Sequence, residues 1–178
     1  DWSSDVCSSD LDVAVAPQAS YYNPYLDIPF YLLAKHTSTW IALAVLGAVQ
    51  GAVVIPLYLI GRSSLRFNMT MSDTKFLAGA LALLGTVGAL TLTEFGTTYY
   101  DNVMSVFILS GLAILVVKRD VLREGTLGKA GSISAIAGLI TGMAMGLKLP
   151  EMPFCVGFAG ALVALGRSEE HTSELQSR

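Results

Sequence analysis

Cysteine and histidine are almost absent from this 178-residue chain: Cys7, Cys155, His36 and His171 are the whole supply. So small a supply excludes a disulfide framework, a metal site built from Cys and His, and a credible Ser-His-Asp arrangement. Charge is scarce too. Asp, Glu, Lys and Arg make up 14% of residues against 53% apolar, and mean hydropathy is +0.58. The few charges fall in clusters, leaving long uncharged runs between them.

The two ends stand apart from this pattern. Residues 1–11 (DWSSDVCSSDL) and 167–178 (RSEEHTSELQSR) are polar and lack helical or strand periodicity. One inverted nucleotide sequence encodes both, and it resembles a common sequencing-library adapter. Both are therefore expected to be non-native scars and are set aside from fold reasoning. Cys7 and His171 go with them, leaving Cys155 and His36. The body, 12–166, then carries nine basic and eight acidic residues, a net +1, so the acidic balance of the whole chain says nothing about partners. No nucleic-acid partner is expected. The body starts and stops inside its own pattern, which predicts a fragment of a longer protein.

A membrane-spanning helix needs about 20 apolar residues to cross about 30 Å of hydrocarbon. The uncharged runs predict membrane helices over 39–61, 76–94, 102–118, 131–148 and 152–166, preceded by an outer loop and interfacial helix over 12–38. The runs lack the period-2 alternation of barrel strands. The predicted class is thus all-α: a polytopic helical membrane protein of about five spanning or near-spanning helices. Arg62, Arg66 and Lys75 follow the first span, and Lys118, Arg119, Arg123 and Lys129 follow the third. Those two links are expected on the cytoplasmic side. The link Glu94–Asn102 carries no Lys or Arg and falls on the other side, with the link around Lys148 and Glu151.

Several residues invite a chemical reading. Glu94, Asp101, Tyr99, Tyr100 and Asn102 are pressed into one short outer link. Hard oxygen ligands gathered there suit Mg²⁺ or Mn²⁺ holding a phosphate, with Asp101 and Glu94 as metal ligands. The competing reading makes Asp101 a helix-start carboxylate favoured by the dipole. Asp27 sits in an aromatic helix start with Tyr21, Tyr22, Tyr25, Phe30 and Tyr31, where a carboxylate is costly unless it meets water, a cation or a donor. The aromatics themselves read as an interfacial belt. Lys148, between membrane helices on the Asp101 side, is a candidate phosphate binder or a snorkelling lysine. Gly47 and Gly51, and Gly138, Gly142 and Gly146, have the small-residue spacing of closely packed helices. Gln50 is expected to hydrogen-bond a neighbouring helix, and Pro56 to kink the first span. Asn68 heads a glycosylation pattern, discounted because its link is predicted cytoplasmic.

Three segments carry a resemblance: Tyr22-Asn-Pro-Tyr-Leu-Asp-Ile-Pro-Phe-Tyr-Leu32, Gly96-Thr-Thr-Tyr-Tyr-Asp-Asn-Val103 and Gly142-Met-Ala-Met-Gly-Leu-Lys-Leu149. Their order resembles polytopic GT-C-type membrane glycosyltransferases, especially uncharacterised bacterial members. The resemblance implies an inverting transferase in the bacterial inner membrane. It would move sugar from a polyprenyl-phosphate donor to an acceptor at the outer, periplasmic face. It implies that Asp101 matches the acidic position that holds a metal or the donor phosphate, and that Lys148 contacts that phosphate. Tyr100, Asn102 and Asp27 join them as substrate-binding candidates. The general base is implied to lie upstream of this chain, which leaves the fragment itself inactive. The alternatives are a membrane transporter or a non-catalytic helical scaffold.

Overall fold

The structure is a computed structural model that describes residues 24–65, 70–96 and 100–163. Every regular element among them is helical, and there is no β-strand. The terminal segments 1–11 and 167–178, and with them Asp12, Tyr21, Tyr22, Asn68 and Tyr99, lie outside the described residues.

A 3₁₀ turn at Pro24–Leu26 leads into α1 (Asp27–His36). Then come α2 (Thr39–Gly51) and α3 (Val54–Ser64), two pieces of one rod. Pro56 explains the break between them. Proline has no N–H for the carbonyl four residues back, and its ring crowds that carbonyl. The carbonyl in question belongs to Ala52, which accepts from Ile55 N–H at 3.0 Å instead, and Leu57 N–H reaches Val53 only at 3.4 Å. The helical ladder is thus interrupted about one turn before the proline.

The second predicted span, 76–94, is two helices. The first, α4 (Met71–Thr86), starts five residues earlier than predicted. Thr70 caps it, accepting from Asp73 N–H at 3.3 Å while its hydroxyl donates to the Asp73 carboxylate at 2.6 Å. That Thr-x-x-Asp pattern is a start signal of the capping-box kind. The helix ends where Val87 and Gly88 interrupt it, and α5 (Ala89–Glu94) begins after Gly88 in an extended conformation. Next come α6 (Asp101–Val117), the short α7 (Arg119–Glu124) and α8 (Leu127–Leu147), which begins earlier than the predicted 131. A 3₁₀ turn (Leu149–Glu151) leads to α9 over 152–163.

The principal helices form a row in which α3 lies between α4 and α6, and α6 packs on α8. Gly61 meets Ala78 and Gly85 meets Leu57, so α4 runs antiparallel to α3. Asp101 pairs with Lys148 and Gly111 packs on Thr141, so α8 runs antiparallel to α6. Helix α1 rests against α2. The core is built of small residues at these crossings: Ala42, Ala78, Ala82, Ala113, Ala137 and Ala144, with Met104 as its largest fully buried side chain.

The closest approach is between α6 and α8, and it corrects the predicted glycine stripe. A Cβ on Gly111 would overlap Thr141 Oγ1 and lie 2.9 Å from the Ala137 carbonyl oxygen. The α8 face that packs is therefore Ala137, Thr141 and Ala144, all buried. Gly138, Gly142 and Gly146 sit on the neighbouring stripe, where an added Cβ would meet nothing within 4 Å. Helix α8 is apolar nearly all round, so the glycine spacing alone cannot say which stripe meets a partner.

Two helical rods are long and apolar enough to cross a bilayer: Thr39–Ser64 and Leu127–Leu147. At 1.5 Å per residue they measure about 39 and about 31 Å, against about 30 Å of hydrocarbon. Asp101–Val117 and Leu149–Val163 are apolar but shorter. Only 22% and 17% of the two long apolar windows is buried, unlike the mostly buried core helix of a soluble domain. Their outward surface is apolar instead, including Trp40, Ile55, Ile136 and Leu139, each more than half exposed. This supports membrane association.

Candidate functional site

Basic residues concentrate at one end of the row, where Asp73, Asp120 and Glu124 also lie, and one base with three acids occupies the other. Arg62, Lys118, Arg119, Arg123 and Lys129 gather at the end where α3 and α6 finish and α8 begins. Glu94, Asp101, Lys148 and Glu151 gather at the other. Each residue of the second group arrives by a different local device. Asp101 opens α6, where the free N–H groups of the first turn favour a carboxylate. Lys148 is the C-cap of α8, its backbone N–H donating to Ala144 at 2.9 Å. Glu94 ends α5. Glu151 closes the 3₁₀ turn after Lys148, its N–H donating to the Lys148 carbonyl at 3.1 Å.

The centre of the group is an ion pair in which Lys148 Nζ donates to Asp101 Oδ1. The lysine side chain is 12% exposed and the aspartate 45%, so the cation is drawn in while the carboxylate keeps one side open. Glu94 and Glu151 flank the pair. Burial raises the pKa of each above the ordinary carboxylate range, the Asp101 charge raises it further, and Lys148 opposes both effects. One ammonium thus serves three carboxylates in a half-buried setting. Of these residues, sequence reasoning singled out Glu94, Asp101 and Lys148 but left Glu151 outside the candidate site. The available signal was Glu151 three residues after Lys148, between Pro150 and Pro153.

The remaining candidates divide. Asn102 is buried, and its amide donates to the Thr91 carbonyl at 3.2 Å, fastening α5 to α6 beside the pair. Tyr100 points its hydroxyl into the interior, where that oxygen is buried without a hydrogen-bond partner among the described residues. Burial drives the phenol pKa upward, and the Asp27 carboxylate reinforces the shift as the nearest acceptor. Asp27 acts on the phenol without reaching the geometry of a full hydrogen bond, a loose contact consistent with its exposed position at the start of α1. Leu26, Phe30, Leu46, Val49, Tyr100 and Val103 line an apolar groove of about 180 Å³ between α1, α2 and α6.

The link before Asp101 is held from below. Gln50, fully buried in α2, accepts the Gly96 N–H at 2.7 Å through Oε1. Gln50 thus makes a hydrogen bond to the backbone of the link. Gly96 has φ +75°, a left-handed conformation that glycine adopts without strain. Phe95 lies against Gly51, so the Gly47 and Gly51 face seats this turn.

Among the described residues, no group of three or more His, Cys, Asp and Glu side chains is placed to hold a metal ion. Glu94 and Asp101 are near one another, and Lys148 donates to one of the two Asp101 carboxylate oxygens. What the group can do is present a fixed ammonium, and hydrogen-bond acceptors, at the end of an apolar bundle. No family model, no curated protein and no solved structure matches the chain.

Proposed function

We propose that the chain is part of a multi-pass membrane glycosyltransferase of the GT-C type. It takes sugar from a polyprenyl-phosphate donor at the periplasmic face of the bacterial inner membrane. The observation that carries this reading is the Asp101–Lys148 pair, flanked by Glu94 and Glu151, at the opposite end from the basic links. Clustered basic residues favour the cytoplasmic side, which assigns the pair to the outer face. Charges at helix ends, with the described interior filled by Ala, Thr and Met, favour a surface reaction over a transport path.

The chemistry asked of the pair is electrostatic. As the glycosidic bond breaks, its electrons go to the lipid phosphate, which gains negative charge. Lys148 meets that charge, because a pre-positioned ammonium in a half-dry site stabilises it far better than water does. Asp101 keeps the ammonium aimed before the donor arrives. Asn102 holds α5 against α6 beside the pair, and Tyr100 and Asp27 lie next to it. The acceptor hydroxyl loses its proton to a carboxylate that the GT-C resemblance assigns upstream. No step in this scheme passes through a metal ion. Asp101→Asn in the uninterrupted protein is expected to abolish transfer from a polyprenyl-phosphate sugar. Unchanged turnover in that variant sinks the role given to Asp101.

A further inference from the structure

The far end of the bundle holds a second recess. It opens where α6 ends, between α7 and the start of α8, and is lined by Lys118, Val121, Thr126, Lys129, Ser132 and Ile133. Its volume is about 580 Å³, and it is open on one side. Two of its walls are cationic and two are apolar. Neither Lys118 nor Lys129 forms an ion pair among the described residues. Arg119 pairs instead with Asp120 at 3.5 Å. Ser132 spends its hydroxyl on the Gly128 carbonyl at 2.8 Å and adds no competing charge.

Depth matters as much as charge. Leu127, at the start of the 21-residue α8, is 94% exposed, and Val117, at the end of α6, is also exposed. These apolar side chains stand beside the two lysines, so the recess falls where hydrocarbon gives way to headgroups. We infer that this recess binds the headgroup of an anionic phospholipid, with Lys118 and Lys129 on its phosphate and Val121 and Ile133 against the first methylenes of its chains. The occupant follows from complementarity: a ligand that is anionic at one end and apolar at the other, present at that depth. The inference rests on the membrane reading, under which this end faces the cytoplasmic leaflet, the anionic one. It assigns a lipid contact remote from the sugar-transfer site and independent of it.

The test uses the full chain in detergent, titrated with short-chain phosphatidylglycerol or phosphatidylcholine and followed by native mass spectrometry. Each lysine near an anionic lipid surface contributes about 1 kcal/mol, a factor of about five in affinity. Lys118→Gln/Lys129→Gln should therefore weaken phosphatidylglycerol binding about 30-fold. Lys118→Arg/Lys129→Arg should retain it, which separates lost charge from lost fold. Phosphatidylcholine should bind the native chain and the Gln variant alike. Equal binding of the two lipids by the native chain overturns the inference. So does competition by millimolar inorganic phosphate, since the site would then be one for free phosphate. Failure of the chain to enter vesicles of any composition removes the membrane reading and the inference with it. Insertion without lipid preference removes the inference alone.

Discussion

Substituting alanine at Gly111 and at Gly142 makes the same chemical change on two facing helices, with opposite expected outcomes. At Gly142 a Cβ meets nothing within 4 Å, so alanine only removes the entropy that glycine loses in a helix. A stabilisation of about 0.5–1 kcal/mol follows. At Gly111 the same methyl overlaps Thr141 Oγ1 and sits 2.9 Å from the Ala137 carbonyl oxygen. The hydroxyl can rotate, although it leaves its own bond to Ala137, made at 3.0 Å. The carbonyl is backbone and cannot yield without separating α6 from α8. Overpacking of this kind costs about 1–3 kcal/mol, and the backbone clash argues for the upper end. Subtracting the helix-propensity gain leaves a net loss of about 2 kcal/mol. Thr141→Ala in the Gly111→Ala background removes the hydroxyl overlap but not the carbonyl one, so it should recover about half of the loss. Reversible unfolding in mixed micelles, followed by helical circular dichroism, reads all three variants. Equal and favourable effects of Gly111→Ala and Gly142→Ala would refute the close approach of α6 and α8 at Gly111.

Two further predictions concern the polar link and its charges. Gln50→Leu should weaken the turn before Asp101 by about 1–3 kcal/mol, since the Gly96 N–H is left without its acceptor, and amide exchange at Gly96 should rise. The raised pKa values of Glu94 and Glu151 mean that the folded chain holds protons more tightly than the unfolded chain. Stability contributed by these groups is therefore present below the ordinary value of 4.5 and is lost as pH rises above it. A thermal midpoint that falls with rising pH above 4.5, and flattens in Glu94→Gln/Glu151→Gln, is the expected result; parallel profiles count against it.

Much of the helical layout was legible because a strong apolar pattern needs no face to be chosen. The start of α6, expected at residue 102 and found at Asp101, and the concentration of basic residues in two links came directly from charge placement. Other features required contact information. Glycines four apart on α8 announced a small-residue face, yet the adjoining Ala137, Thr141 and Ala144 stripe makes the contact. The two stripes differ by one residue, about 100° around a helix whose outward side is also apolar. The Thr70 cap was present in the sequence as a Thr-x-x-Asp pattern, but it was hidden by reading 71–75 as link. The break at Val87 and Gly88 was hidden for the opposite reason: both neighbouring pieces are apolar, so hydropathy runs through it. Glu151 joins the site only because a 3₁₀ turn after Lys148 brings it back beside Asp101, an effect of local backbone geometry that composition does not display.

The central claim, that Lys148 receives the phosphate of a lipid-linked sugar, is tested most directly by donor affinity. Binding of a polyprenyl-phosphate sugar should be measured on the native chain, Lys148→Met and Lys148→Arg, with circular dichroism confirming that each is folded. A charge-assisted hydrogen bond is worth about 1.5–3 kcal/mol, so Lys148→Met should bind about 10- to 100-fold more weakly while Lys148→Arg keeps most of the affinity. Equal affinities for the native chain and a folded Lys148→Met would contradict the account.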